Sequence, residues 1–138
     1  MTPDLFDKFP KPPIAKLLGW TLVSVDAEAG EIEIAFNGSA DFLNPAGFIQ
    51  GGILCAMMDD AMGPAAYVAS GGERMTSSID IHTHFLRPVA AGRITVKARA
   101  TRMGSKVGFL EAQLFDAAGR LCARATSSAM LGDAPRAF

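Results

Sequence analysis

The chain has 138 residues and a mass of 14.5 kDa, the size of one domain. Hydrophobic residues make up 49% and charged residues 20%, and 13 basic against 14 acidic side chains leave a formal charge of −1. These figures exclude a disordered chain, which combines low hydrophobicity with high net charge, and a nucleic-acid coat, which needs a basic face. Two cysteines, Cys55 and Cys122, cannot make a disulfide framework, and the N-terminal stretch has no signal-peptide pattern, so a cytoplasmic location is expected. No apolar run approaches the roughly 18 residues of a membrane span. The apolar surplus of so small a domain points to an oligomer.

In chain order, residues 1–13 are proline-rich and without period, which predicts an N-terminal arm rather than a core element. Residues 14–18 predict a short helix stopped by Gly19. Residues 20–25 and the strictly alternating 31–36 predict two strands joined by a turn, and 37–49 predict a loop rich in Gly, Ser, Asp, Asn and Pro. Residues 50–69 are almost entirely small or aliphatic. Ile53, Met57 and Ala61, and beside them Leu54, Met58 and Met62, repeat at helical spacing, so this helix is buried over most of its circumference. Pro64 removes one of its hydrogen bonds and predicts a kink near Gly63-Pro64. Strands follow at 76–86, 93–102, 106–115 and 120–131, with a turn at 116–119. Strands do not alternate with helices, which excludes a doubly wound parallel sheet and leaves an α+β fold: an antiparallel sheet curled around one central helix.

Two acids, Asp59 and Asp60, sit in the most apolar segment. A buried unpaired carboxylate costs several kcal/mol, and adjacent helical side chains diverge by about 100°, so both cannot serve one site. Either they hold backbone or Arg groups at a subunit boundary, or one of them is catalytic. Gly51-Gly52 opens the same helix. The first N–H groups of a helix lack internal partners, its dipole attracts negative charge, and two residues without Cβ allow close approach, the requirements of an oxyanion hole. A tight helix entry explains the same pair on its own. Asp80, His82 and His84 share one strand face and have the make-up of a zinc chelate. No further histidine exists, so a polar sheet face is the preferred reading and no metal site is assigned. Cys55 and Cys122 read as small apolar fillers. Arg87, Arg102 and Lys106 offer a basic rim for a phosphate group, with solvated strand ends as the alternative.

The stretch Asn44-Pro45-Ala46-Gly47-Phe48-Ile49-Gln50-Gly51-Gly52, followed by Asp59-Asp60-Ala61, resembles the signature of the hotdog-fold acyl-CoA thioesterases of the phenylacetyl-CoA thioesterase type. That signature is Asn-x-x-Gly-x-x-His-Gly-Gly, then an acid on the helix, then Ser or Thr in the next strand. Ser78 falls at or beside the last position, with Ser77 as its neighbour, and 85–88, 101–106 and 116–124 resemble the family's later strand ends and hairpins. The similarity spans about residues 14–131 and makes 1–138 a single hotdog domain. The departure is Gln50, which stands at the family's histidine. Glutamine donates and accepts hydrogen bonds but does not titrate.

The resemblance implies a homodimer with sheets joined edge to edge, further paired into a tetramer, and a site shared between subunits. In it the Gly51 N–H polarises the thioester carbonyl and Asp59 of the other chain acts as general base or nucleophile. Asn44, Gln50 and Ser78 arrange the site, and Gly52, Ser77, Arg87, Arg102 and Lys106 contact the substrate. The expected reaction is hydrolysis of an acyl-CoA to a carboxylic acid and free CoA, with no cofactor beyond the CoA of the substrate. The alternative is a non-catalytic acyl-CoA binding module on the same fold, favoured only by Gln50. A hydratase ranks last because the helix region has no histidine, and the length leaves nothing for a DNA-binding motif. The Ala- and Met-rich helix wall implies an apolar acyl pocket.

Overall fold

The computed structural model describes residues 4–7 and 10–135. Two short helices, α1 (Asp4–Asp7) and α2 (Pro13–Leu18), lead into strands β1 (Thr21–Asp26) and β2 (Glu31–Gly38). The long helix α3 (Gly51–Ala69) follows, and then β3 (Arg74–Phe85), β4 (Gly92–Met103), β5 (Val107–Phe115) and β6 (Leu121–Asp133). All six strands form one antiparallel sheet in the order β1-β2-β4-β5-β6-β3, so β1 and β3 are its edges. This is the expected α+β arrangement, a sheet curled around a single helix.

The core follows from two periods meeting. Every second residue of β2, β4 and β5 is buried, among them Ile34, Ile94, Val96 and Leu114, while Glu33, Lys97 and Gln113 between them reach outward. Against this layer α3 buries Leu54, Met57, Met58, Ala61, Met62, Ala65, Ala66 and Val68, which include most of both predicted stripes. The helix continues through Pro64 to Ala69.

Three expectations need correction. The N-terminal arm is not separate from the core: residues 4–7 form a helical turn, and Leu5 and Phe6 pack against the core cluster. The Phe6 ring lies 5.6 Å from both Trp20 and Tyr67, and the Tyr67 hydroxyl donates to the Leu5 carbonyl at 3.1 Å. Positions 1–3 and 8–9 of that arm lie outside the described residues. The predicted loop at 37–49 is shorter than expected, because β2 runs on to Gly38 along Gly92 of β4 and a 3-10 turn occupies Ala40–Phe42. Trp20 precedes β1 rather than starting it, since its N–H closes the end of α2 on the Ala15 carbonyl at 2.8 Å and Gly19 supplies the left-handed turn between them.

The alternation in β2 is open to measurement. Ile34→Ala, on the face toward α3, should lower stability by about 2–5 kcal/mol in urea unfolding, the usual cost of emptying a core aliphatic site. Glu33→Ala, one residue away on the outer face, should change it by about 0.5 kcal/mol or less.

Candidate active site

The helix α3 meets the edge strand β3 along one line. A Cβ built on Gly51 would come 3.1 Å from the Phe85 ring, and one on Gly63 would come 3.2 Å from Thr76 Oγ1, so both glycines permit close approach. Between them, Cys55 Sγ lies 3.4 Å from Thr83 Oγ1, and Ser78 Oγ donates to Asp59 Oδ1 at 3.1 Å. Residues 51, 55, 59 and 63 are successive i, i+4 positions and therefore one helix face. That face is small or polar because β3 covers it only from one side. Asp59 and Ser78 both remain exposed in the single chain, and no strand among the described residues pairs the outer edge of β3.

The strand delivers Ser78 to this seam through an irregularity. The pairing of β3 with β6 shifts between Ser78 and Asp80, leaving Ile79 as a bulge. Thr76, Ser78, Ile81, Thr83 and Phe85 consequently oppose Leu131, Ala129, Ser127, Ala125 and Ala123, all buried, and face the helix. Ser77, Asp80, His82 and His84 oppose Met130, Ser128, Thr126 and Arg124 on the outer face. Ser77 therefore does not join Ser78 in the seam. Asp80 Oδ1 accepts from the Ser128 N–H at 2.9 Å, which fastens the bulge. The two imidazoles meet at Nε2···Nε2 3.2 Å, and Arg124 Nε donates to His84 Nδ1 at 3.4 Å. Among the described residues no three His, Cys, Asp or Glu side chains are placed to hold a metal ion.

The helix entry is built by the preceding loop. Asn44 Oδ1 accepts from the Ala46 and Phe48 N–H groups at 3.0 and 3.1 Å, and the Asn44 N–H donates to the Phe48 carbonyl at 2.7 Å. Asn44 thus shapes the loop. The Gln50 N–H is held by the Phe42 carbonyl at 2.8 Å, and its own carbonyl accepts from Ile53 and Leu54 at 2.9 and 3.2 Å. Gln50 is the N-cap, but its side chain makes no cap hydrogen bond and stays exposed. Gly51 and Gly52 follow with the N–H groups that precede the helical ladder, and a Cβ at Gly52 would meet nothing within 4 Å. From Gly51 to Asp59 the helix rises about 12 Å, too far for both to touch one carbonyl group.

The two acids have different surroundings. Asp59 faces the seam, whereas Asp60 Oδ2 is shut off from solvent with no hydrogen-bond partner among the described residues. Burial, and secondarily the charge of Asp59, raise the Asp60 carboxyl from 3.8 to about 6. The three basic residues do not form one rim within a chain. Arg87 follows the end of β3 near Gly51, its N–H on the Cys122 carbonyl at 3.1 Å. Arg102 and Lys106 flank the β4–β5 hairpin at the other end, where Arg74 at the start of β3 reaches the Ser105 carbonyl at 3.1 Å. The 12 residues of β3 that separate these ends span about 40 Å.

Known proteins share this architecture. A family model described as the thioesterase superfamily matches residues 46–123, which include the end of the loop, α3 and β3. A crystal structure of a phenylacetic acid degradation-related protein from Ralstonia eutropha JMP134 superposes with a TM-score of 0.85 at 35% identity, covering 91% of this chain and 95% of that one. The PaaI protein of the Escherichia coli phenylacetic acid degradation operon superposes with a TM-score of 0.79 over 89% of this chain and 87% of its own, and at 23% identity it speaks for the fold alone. The 1,4-dihydroxy-2-naphthoyl-CoA hydrolase of Escherichia coli K12 is 26% identical over 78 residues, 56% of this chain and 57% of that protein. With more than half its length inside the family model and a 35% identical structure along nine-tenths of it, the chain belongs to the thioesterase superfamily and is a thioester hydrolase on the hotdog fold.

Proposed function

We propose that the protein hydrolyses an acyl-CoA thioester to a carboxylic acid and free CoA in a site shared by two subunits. The observation that carries this reading is the Asp59–Ser78 pair, 3.1 Å apart and exposed beside an unpaired edge strand. Pairing β3 with a second β3 in antiparallel sense extends the sheet and brings a second α3 to the open side of the seam. The helix entry of one chain then reaches toward Asp59 of the other, which spans the 12 Å or so that separates the two groups within a chain. The same pairing sets the Arg87 end of one β3 toward the Arg102 and Lys106 end of its partner, where together they suit the phosphates of CoA. A similarity to a CoA hydrolase is in keeping with that substrate class.

The thioester carbonyl oxygen accepts the Gly51 N–H at the positive end of α3, with Gln50 at its side. Ser78 donates to one oxygen of Asp59 and leaves the other to take a proton from water. The water oxygen attacks the carbonyl carbon, and the negative charge that develops on the carbonyl oxygen is held by the helix terminus. The C–S bond breaks, and the proton held by Asp59 passes to the departing thiolate. Acid and thiol leave, and the carboxylate is restored without any cofactor.

Steady-state assays on a panel of acyl-CoA substrates with a thiol-trapping reagent test this reading. Asp59→Asn should lower kcat by about 10²-fold or more while Asp60→Asn retains most activity. Equal losses in both, or no turnover of any panel member by the parent protein, would sink the proposal.

Sharing of the site predicts complementation. Gly51→Pro removes the N–H at the first helical position, where the backbone tolerates proline and the Phe85 ring has to give a few tenths of an ångström to its Cβ, and Asp59→Asn removes the base. Co-refolded in equal amounts, the two inactive chains should regain about a quarter of parental activity, because half of the dimers hold one intact site of two. No recovery, or a monomer in sedimentation at micromolar concentration, argues for a site within one chain.

The environment of Asp60 adds a pH dependence. Its folded pKa of about 6 exceeds the reference of 3.8, so the folded chain binds the extra proton between those values. Stability therefore falls as pH rises from about 4 to 6 and remains lower above. Asp60→Asn should match the parent Tm near pH 4 and exceed it at pH 7.5 in thermal melts. A constant Tm difference across that range would contradict the assignment.

A further inference from the structure

Trp20 stands between α2 and β1, and the reaction above makes no use of it. Its backbone is fixed from two sides: the N–H donates to the Ala15 carbonyl at 2.8 Å, and the carbonyl accepts from Lys11 Nζ at 2.6 Å. The indole lies beside Phe6, with ring centroids 5.6 Å apart. From there Nε1–H crosses to α3 and donates to the backbone carbonyl of Asp60 at 3.0 Å.

That carbonyl is deprived of its ordinary partner. Within an α-helix the carbonyl of residue i accepts from the N–H of residue i+4. For Asp60 the donor belongs to residue 64, a proline, which has no N–H and whose ring crowds the same carbonyl. A carbonyl stranded in the interior is costly, and a proline inside a helix is the commonest cause of a bend. The gap opens one residue beyond Asp59.

We infer that Trp20 is a positioning residue for the Asp59 carboxylate: its indole N–H replaces the hydrogen bond that Pro64 cannot make and so fixes the twist of α3 at Asp59–Asp60. Twist is the critical quantity at this point. Neighbouring helical side chains diverge by about 100°, and one acid must face Ser78 while the other faces inward. A rotation of this turn carries Asp59 away from the serine hydroxyl and swings Asp60 toward the seam. The inference rests on Asp59 being the reacting acid.

The test is a double-mutant cycle. Trp20→Phe keeps an aromatic ring against Phe6 and removes the donor, while Pro64→Ala returns an N–H to the helix at the deprived position. Trp20→Phe should lower kcat about tenfold, on the scale of one hydrogen bond, with KM for the acyl-CoA within about twofold. Pro64→Ala alone should stay within about twofold of the parent, and the double variant should regain kcat to within about threefold. Thermal melts of the same four proteins should show the same rescue without substrate. A double variant as slow as Trp20→Phe overturns the inference, because it assigns Trp20 to packing alone, and so does an unchanged kcat in Trp20→Phe. Rescue in the melts with none in kcat overturns the positioning role. Failure of the underlying reading is seen separately, as full activity in Asp59→Asn.

Discussion

A helix wrapped by a sheet must be apolar wherever the sheet covers it, and six strands do not close the circle around α3. The line where coverage ends runs along Gly51, Cys55, Asp59 and Gly63, and there a carboxylate stays in water and needs no counter-charge. One position further on, the environment already differs: burial raises the Asp60 carboxyl to about 6. The open seam and the open sheet edge are two views of one geometric fact. β3 must stop the sheet for Asp59 to be reachable, and a sheet that stops there presents unpaired backbone together with Ile79 and Phe85, 56% and 54% exposed. In the proposed pairing of two β3 strands, a second copy of the chain covers that exposure and completes the site.

Much of this was legible in the sequence because local periods carry it. The alternation of Ile32, Ile34 and Phe36, and the fourfold spacing of Leu54, Met58 and Met62, are statements about which side of an element is wet, and the structure keeps them. Strand ends were harder, since β2 extends to Gly38 through pairing with Gly92, a partner 54 positions away in the chain. The acid–serine pair was visible only through its family resemblance. By strict alternation Ser78 belongs with Asp80, His82 and His84, on the far side of the sheet from Asp59. The bulge at Ile79 reverses that phase, and its fastening, the Ser128 N–H on Asp80, is made by another strand. The basic residues show the same limit: sequence proximity to strand ends identified them, but strand order decides which end each occupies.

Pro64 is the position where local and tertiary rules conflict most directly. Proline costs about 3 kcal/mol inside a helix and glycine before it about 1 kcal/mol, so Gly63-Pro64 is the weakest point of the helix, where its sequence predicts a kink. The helix nevertheless runs five residues further, to Ala69. Gly63 has a local reason, its close approach to Thr76. The orphaned carbonyl finds its donor in a residue 40 positions earlier, whose ring is in turn backed by Phe6. The proline-rich beginning of the chain, which reads by composition as an arm outside the core, therefore has a physical route to the Asp59 carboxylate. Phe6 holds the indole, the indole holds the Asp60 carbonyl, and the Asp60 carbonyl sets the turn from which Asp59 reaches Ser78. Each link is a single contact of ordinary strength. The chain of them explains how a helix weakened by a proline in its own sequence can still present one of two adjacent acids to water and turn an oxygen of the other inward.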